Sequence, residues 1–249
     1  MENIGALLIS TIAGLSTVLG CFFIFIKPKN TNWFIGSALA FSATIMLLLS
    51  ITELIPEGFI YLEYRFNLFI AILSVILMVF TGNLISKTIN KKIDQYREIN
   101  SKLYRVGILS MIALMLHNLP EGILTYITSM VDIQLGIKYG IAIMLHNIPE
   151  GIAIAIPIYY ATKSKKKAFK ATFISGLSEP LGAILAWIFL SHIMSETLIS
   201  FILLFVGGLM ISISINDIFE EARKYPKKAV LIGIGLASTL FIINQIIFH

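Results

Sequence analysis

The sequence predicts an all-α integral membrane protein: eight transmembrane helices with inverted repeats and both termini extracytoplasmic. Composition comes first. The chain has 249 residues, 57% of them hydrophobic and only 13% charged, with a mean hydropathy of +0.88. A soluble domain would carry about a quarter charged residues. Next, apolar runs of about 20 residues, enough to cross a hydrocarbon core, recur along the chain. They are continuous rather than alternating, so the spans are helices and not barrel strands. The third observation is the placement of the basic residues.

The runs place spans at about 4–26, 33–56, 67–87, 106–129, 135–160, 168–191, 197–217 and 229–248. They leave no room for a soluble domain, so residues 1–249 form a single eight-helix unit. The start, Met1-Glu2-Asn3, lacks the positive region of a secretory signal, and the first run reads as a retained helix. A single cysteine, Cys21, excludes an internal disulfide and a thiolate cluster. The longest connection, Lys87 to Arg105, is the one candidate for a flexible loop.

Of the 19 basic residues, 17 fall in the first, third, fifth and seventh loops, leaving Arg65 and Lys138 for the even ones. Cytoplasmic loops collect Lys and Arg, so the odd loops face the cytoplasm of a cell-membrane protein. The same rule accounts for the net charge of +5 and for the run Lys163 to Lys170 without a nucleic-acid partner.

Spans four and five carry Met115-Leu116-His117-Asn118-Leu119-Pro120-Glu121-Gly122 and Met144-Leu145-His146-Asn147-Ile148-Pro149-Glu150-Gly151, offset by 29 residues. Adjacent spans run antiparallel, so the copies are related by a pseudo-twofold axis in the membrane plane and meet at similar depth. Inverted-repeat transporters hold their substrate there. A charged residue at a helix centre costs about 2.5–3.5 kcal/mol. A metal ion compensates, since its charge stabilises carboxylates while neutral imidazoles ligate it.

His and Glu at i,i+4 share a helix face, and Asn and Glu form an i,i+3 pair. Two facing helices can therefore build two adjacent sites bridged by Glu121 and Glu150. One adds His117 and His146, the other Asn118 and Asn147. Pro120 and Pro149 remove bonds to the carbonyls of Leu116 and Leu145, predicting helices kinked or broken beside each histidine. Gly122 and Gly151 allow close helix approach. The rival reading, hydrogen-bonded glue between helices, suits a single His or Asn better than two six-residue copies with carboxylates.

Glu179, beside Pro180 in span six, is a third intramembrane carboxylate and is assigned to the asparagine-rich site. Glu53 and Glu57 end span two, and Asp217, Glu220 and Glu221 end span seven. They read either as acidic mouths of an access path or as solvated helix ends. The stretches from Phe41 and from Gly207 resemble each other, a weak sign of a second inverted repeat. His192 and His249 read as surface residues, Cys21 as a small buried hydrophobe, and Met46 as packing.

The twin motif, with Ser175-Gly176-Leu177-Ser178-Glu179-Pro180-Leu181-Gly182-Ala183, the span-two Ser50-Ile51-Thr52-Glu53-Leu54-Ile55-Pro56-Glu57-Gly58 and the span-seven Gly207-Gly208-Leu209-Met210 to Ala222, resembles the ZIP family of metal-ion transporters, and within it the bacterial ZupT-like branch. That resemblance implies uptake of Zn²⁺, and also of Fe²⁺, Mn²⁺, Co²⁺ or Cd²⁺, as transported substrate rather than as a catalytic cofactor. It implies a binuclear site of His117, Asn118, Glu121, His146, Asn147, Glu150 and Glu179. It further implies homodimers, and a movement of spans one, four, five and six against the rest. The Lys87–Arg105 loop lacks the histidines many relatives carry there.

The residues alone also point to secondary transport, since no Walker-type loop appears. Imidazole, amide and carboxylate ligands suit these divalent ions better than Cu⁺. Two rivals stay open at this point, an intramembrane di-metal enzyme and a passive metal channel. Against the enzyme, di-iron bundles use Glu-x-x-His rather than His-x-x-x-Glu.

Overall fold

In the computed structural model, which describes residues 2–95, 102–189 and 196–248, eight helices are long and apolar enough to cross a membrane. They are span one (Asn3–Phe25), span two (Thr31–Arg65), span three (Leu68–Thr88), span four (Lys102–Val131), span five (Ile133–Thr162), span six (Lys165–Phe189), span seven (Thr197–Ala222) and span eight (Lys227–Ile246). No strand occurs among the described residues. His192, His249 and Arg97 lie outside them.

Two boundaries differ from expectation. The Lys87–Arg105 loop is much shorter, because one helix runs on to Gln95 and the next starts at Lys102. An apolar span already supplies the costly helix nucleus, so the polar residues after it simply propagate it. Span two does not end at its Ile55-Pro56-Glu57-Gly58 segment but continues to Arg65. A π-helical stretch, Ser50–Leu54, precedes the proline. Pro56 then falls in the first turn of Ile55–Arg65, where its missing N–H is tolerated. Glu53 and Glu57 accordingly stand within the span. Span seven has the same irregularity at Ser214–Phe219, which contains Asp217.

The helix breaks expected at Pro120 and Pro149 are not where the chain is interrupted, since spans four and five are helical throughout. Spans one and six are interrupted instead, at Ser16 and at Leu177. The Ser16 hydroxyl donates to Ala13 O at 2.6 Å, a local bond that competes with the helix ladder. In span six, Pro180 removes the N–H that would reach Gly176 O, and the helix restarts at Ser178. The two interruptions adjoin, for a Cβ on Gly14 would stand 2.4 Å from Gly176 O.

The spans sort into two groups. Spans one, four, five and six pack on one another, while span two packs on eight and span three on seven, with seven also against two. The groups meet where span two lies on five, seven on four, and eight on five. Span five is the best covered, with 78% of its most apolar window buried, and span three the least, with 17%. Span three thus leaves most of its surface uncovered by the other spans, and span five is the axis of the molecule. The largest apolar core joins the ends nearest loops one, three, five and seven, through Ile24, Leu39, Leu109, Ile154, Met210 and Ile213.

Lys102 of span four and Glu220 of span seven form an ion pair across the two groups at that same end. Both are well exposed, 33% and 56% by side chain, so the pair is worth less than about 1 kcal/mol. Lys102→Ala should therefore lower the thermal midpoint by less than about 4 °C. A larger drop in a detergent unfolding curve would show that the pair is a structural clamp.

Candidate metal site

The depth of the twin motif is set by one turn residue. Asp132 caps span five, accepting from Gln134 N at 2.7 Å and Leu135 N at 3.2 Å. This capped turn joins the antiparallel spans four and five. His117 precedes it by about 15 residues and His146 follows by about 14, so both stand about 22 Å from the turn at 1.5 Å per residue. The two copies therefore lie side by side.

All seven residues singled out from the sequence are buried. His117 Nε2 stands 3.3 Å from Glu121 Oε1 and 3.7 Å from Glu150 Oε1. With its nitrogen toward the acceptors, Asn118 donates to Leu114 O at 2.7 Å and to Glu150 Oε2 at 3.2 Å. Glu150 thus touches the histidine of the facing span through one oxygen and its asparagine through the other. Asn147 donates both to Ala13 O, at 2.8 Å, and to Glu179 Oε1. That first acceptor is one of the carbonyls at the interruption of span one. Glu179 lies in the first helical turn after the interruption of span six, where the helix dipole favours a carboxylate.

His146 is placed differently. Its Nε2 lies 2.5 Å from Asn244 Nδ2 of span eight. Among the described residues, no three His, Cys, Asp or Glu side chains already converge as a ligand set. The candidate residues are paired with one another and with Asn244, so a cation would have to draw them out of those pairs.

Four buried atoms of this cluster have no hydrogen-bond partner, His117 Nδ1, Glu121 Oε2, Asn147 Oδ1 and Glu179 Oε2, while His117 Nε2 and Glu150 Oε1 have only the long contacts just given. Buried polar groups are nearly always satisfied, and an orphaned carboxylate oxygen costs on the order of 1–3 kcal/mol or more. A divalent cation satisfies such atoms and is itself stabilised by them. Donor chemistry of this kind, neutral nitrogen with carboxylate and amide oxygen, fits Zn²⁺ and its divalent neighbours.

A cavity of about 990 Å³ leads to the cluster from the end where loops two and four lie. Glu53, Glu57, Tyr64, Lys138 and Tyr139 line it, and it reaches Glu121 and His146. Those two are the least buried of the seven, at 8% exposure each. Sequence reasoning missed Tyr139, Gln245 and Asn244. Gln245 donates to Glu53 Oε1 at 2.6 Å. The available signal was an Asn-Gln pair inside the otherwise apolar Phe241 to Phe248.

The sequence is similar throughout to proteins of one kind. The model of a family described as ZIP Zinc transporter matches residues 86–243. The zinc transporter ZupT of Streptococcus mutans is 36% identical, covering 98% of this chain and 97% of that protein. Its counterpart from Chlorobaculum parvum is 34% identical over 94% and 93% of the two chains. That from Oceanobacillus iheyensis is 35% identical over 88% of each.

Proposed function

Because this chain belongs to the ZIP family of zinc transporters, we propose that it carries Zn²⁺ into the cytoplasm by alternating access, through a site built on the twin motif. The observation that carries the site is the cluster of orphaned buried donors around Glu121, Glu150 and Glu179, reached by an acidic cavity. Glu150 bridges a histidine-side and an asparagine-side position. The first draws on His117, His146, Glu121 and Glu150, and the second on Asn118, Asn147, Glu150 and Glu179. Fe²⁺, Mn²⁺, Co²⁺ and Cd²⁺ share the required ligand preferences and are candidate competitors. A di-metal enzyme falls away with the family, whose named relatives are transporters.

Loop charge supports the orientation. The basic loops one, three, five and seven mark the cytoplasmic end. The cavity opens at the other end, so this conformation is open to the outside. The cytoplasmic half is closed by the apolar core that includes Leu109 and Ile154. Spans four, five and six hold all seven candidate ligands and pack with span one as a group, which supports their moving as a body against spans two, three, seven and eight. The paired interruptions of spans one and six, and the paired π-helical stretches of spans two and seven, support an inverted repeat relating spans one to three with six to eight.

Zn²⁺ uptake into proteoliposomes tests the proposal, with a saturating dependence on concentration expected. Flux that stays linear would favour a channel instead. Orientation is checked separately in a Cys21→Ala background. Tyr64→Cys, 89% exposed beside the cavity, should react with an impermeant maleimide from outside the cell. Lys224→Cys should react only from the cytoplasmic side. The reverse pattern would overturn the orientation.

A further inference from the structure

The bond between Asn244 and His146 joins the two groups of helices at the site itself. His146 stands on span five, among the ligand-bearing spans, and Asn244 on span eight, which packs chiefly on span two. Asn244 is 3% exposed and its Oδ1 has no hydrogen-bond partner, so this buried amide makes its contact through Nδ2. That contact is to His146 Nε2, at 2.5 Å. With the amide nitrogen facing the ring it donates and Nε2 accepts; with the amide turned over, Oδ1 would accept from Nε2–H, and in either case the contact occupies Nε2. A metal ion binds imidazole through a ring nitrogen. Asn244 and a cation bound at Nε2 therefore compete for one ring nitrogen.

The surroundings make this competition exclusive. The space between His146, Asn244, Leu145, Pro149 and Phe241 is about 10 Å³. The two side chains already meet directly at 2.5 Å, so no water stands between them while both stay in place. When the ring turns toward Glu121 and Glu150, the bond to span eight breaks.

Resting on the transport reading above, we infer that Asn244 is a positioning residue that senses loading. In the empty transporter it holds His146, and with it the ligand-bearing spans, to the static spans in the outward-open arrangement. A metal ion that captures His146 displaces Asn244 and releases the bundle, so movement follows loading. Span five otherwise meets span eight over a small area, so the loss of one buried bond bears directly on how firmly the two are held.

The test uses the full-length protein in detergent and in proteoliposomes. Asn244→Leu removes the amide while keeping the volume, and Asn244→Ala is the second variant should the first fail to fold. Zn²⁺ affinity by calorimetry is expected to tighten about two- to tenfold, the worth of one hydrogen bond no longer broken on binding. In a Cys21→Ala, Leu109→Cys background, the buried cytoplasmic-half cysteine should become reactive from inside without metal in the Asn244 variant, but not in the parent. A merely structural asparagine would give neither change, and Thr239→Val on the exposed face of span eight serves as the control. Unchanged or weaker Zn²⁺ binding, or labelling that still needs metal, overturns the inference. The transport reading fails separately, if the parent binds no Zn²⁺ or if Glu150→Ala binds it as the parent does.

Discussion

Glu150→Ala is expected to abolish Zn²⁺ uptake while leaving the protein folded. The carboxylate is 1% exposed and lies between His117 of the facing span, at 3.7 Å, and the Asn118 amide, at 3.2 Å. Two unit charges 4 Å apart attract by about 4 kcal/mol at an effective dielectric of 20, and a divalent ion does so more strongly. Removing one partner from a buried charge pair costs about 3–5 kcal/mol. The expected loss of Zn²⁺ affinity is therefore at least about 10²-fold. Glu150→Gln keeps the shape and the contact to Asn118 but not the charge, and should lose nearly as much. Glu121→Ala should be similarly severe, because Glu121 is the carboxylate of the pair that the cavity reaches. A zinc-sensitive dye inside proteoliposomes reads the flux, and size-exclusion chromatography checks the fold. Uptake within twofold of the parent in both alanine variants would remove the glutamates from the site.

Much of this was legible in the sequence, for reasons that differ residue by residue. Eight spans follow from hydropathy because nothing else in the chain competes with the bilayer as solvent. The seven candidate ligands stand out because His, Asn and Glu are costly at mid-membrane and cannot be explained as surface. Loop three and the end of span two were misjudged because helices do not stop where the membrane does. Nor do the prolines mark the interruptions one for one. Pro120 and Pro149 sit inside helices that stay continuous, whereas Pro180 helps end one, since it coincides with Gly176 and a close neighbour in span one. The interruption at Ser16 has no proline to announce it. Asn244 was hidden for another reason: its role depends on span eight lying beside span five, and no local pattern encodes which helix is a neighbour.

That neighbour relation is itself written in small residues, and the second large effect is expected there. Gly122 and Gly151 close the two copies of the motif. A Cβ on Gly122 would lie 2.0 Å from Glu179 O, and one on Gly151 would lie 1.9 Å from Thr17 O. Both opposing atoms are backbone, so no side chain can rotate away. The glycine in each copy lets a partner helix approach closely enough to deliver its contribution, Glu179 from span six in one case and the carbonyl-rich interruption of span one in the other. Overpacking a dense interior costs about 1–3 kcal/mol and more when backbone must move. Gly122→Val should thus lower the thermal midpoint by roughly 6–12 °C, taking about 3 kcal/mol and 2–4 °C per kcal/mol. It should also weaken Zn²⁺ binding even at temperatures where the protein is folded, because Glu179 is pushed away from Asn147. Gly151→Val should destabilise as much. Gly235→Val, with no atom within 4 Å of its Cβ, should do neither. If Gly122→Val bound Zn²⁺ with the parent's affinity, span six would not contribute to the site, and Glu179 would be a structural carboxylate held by Asn147.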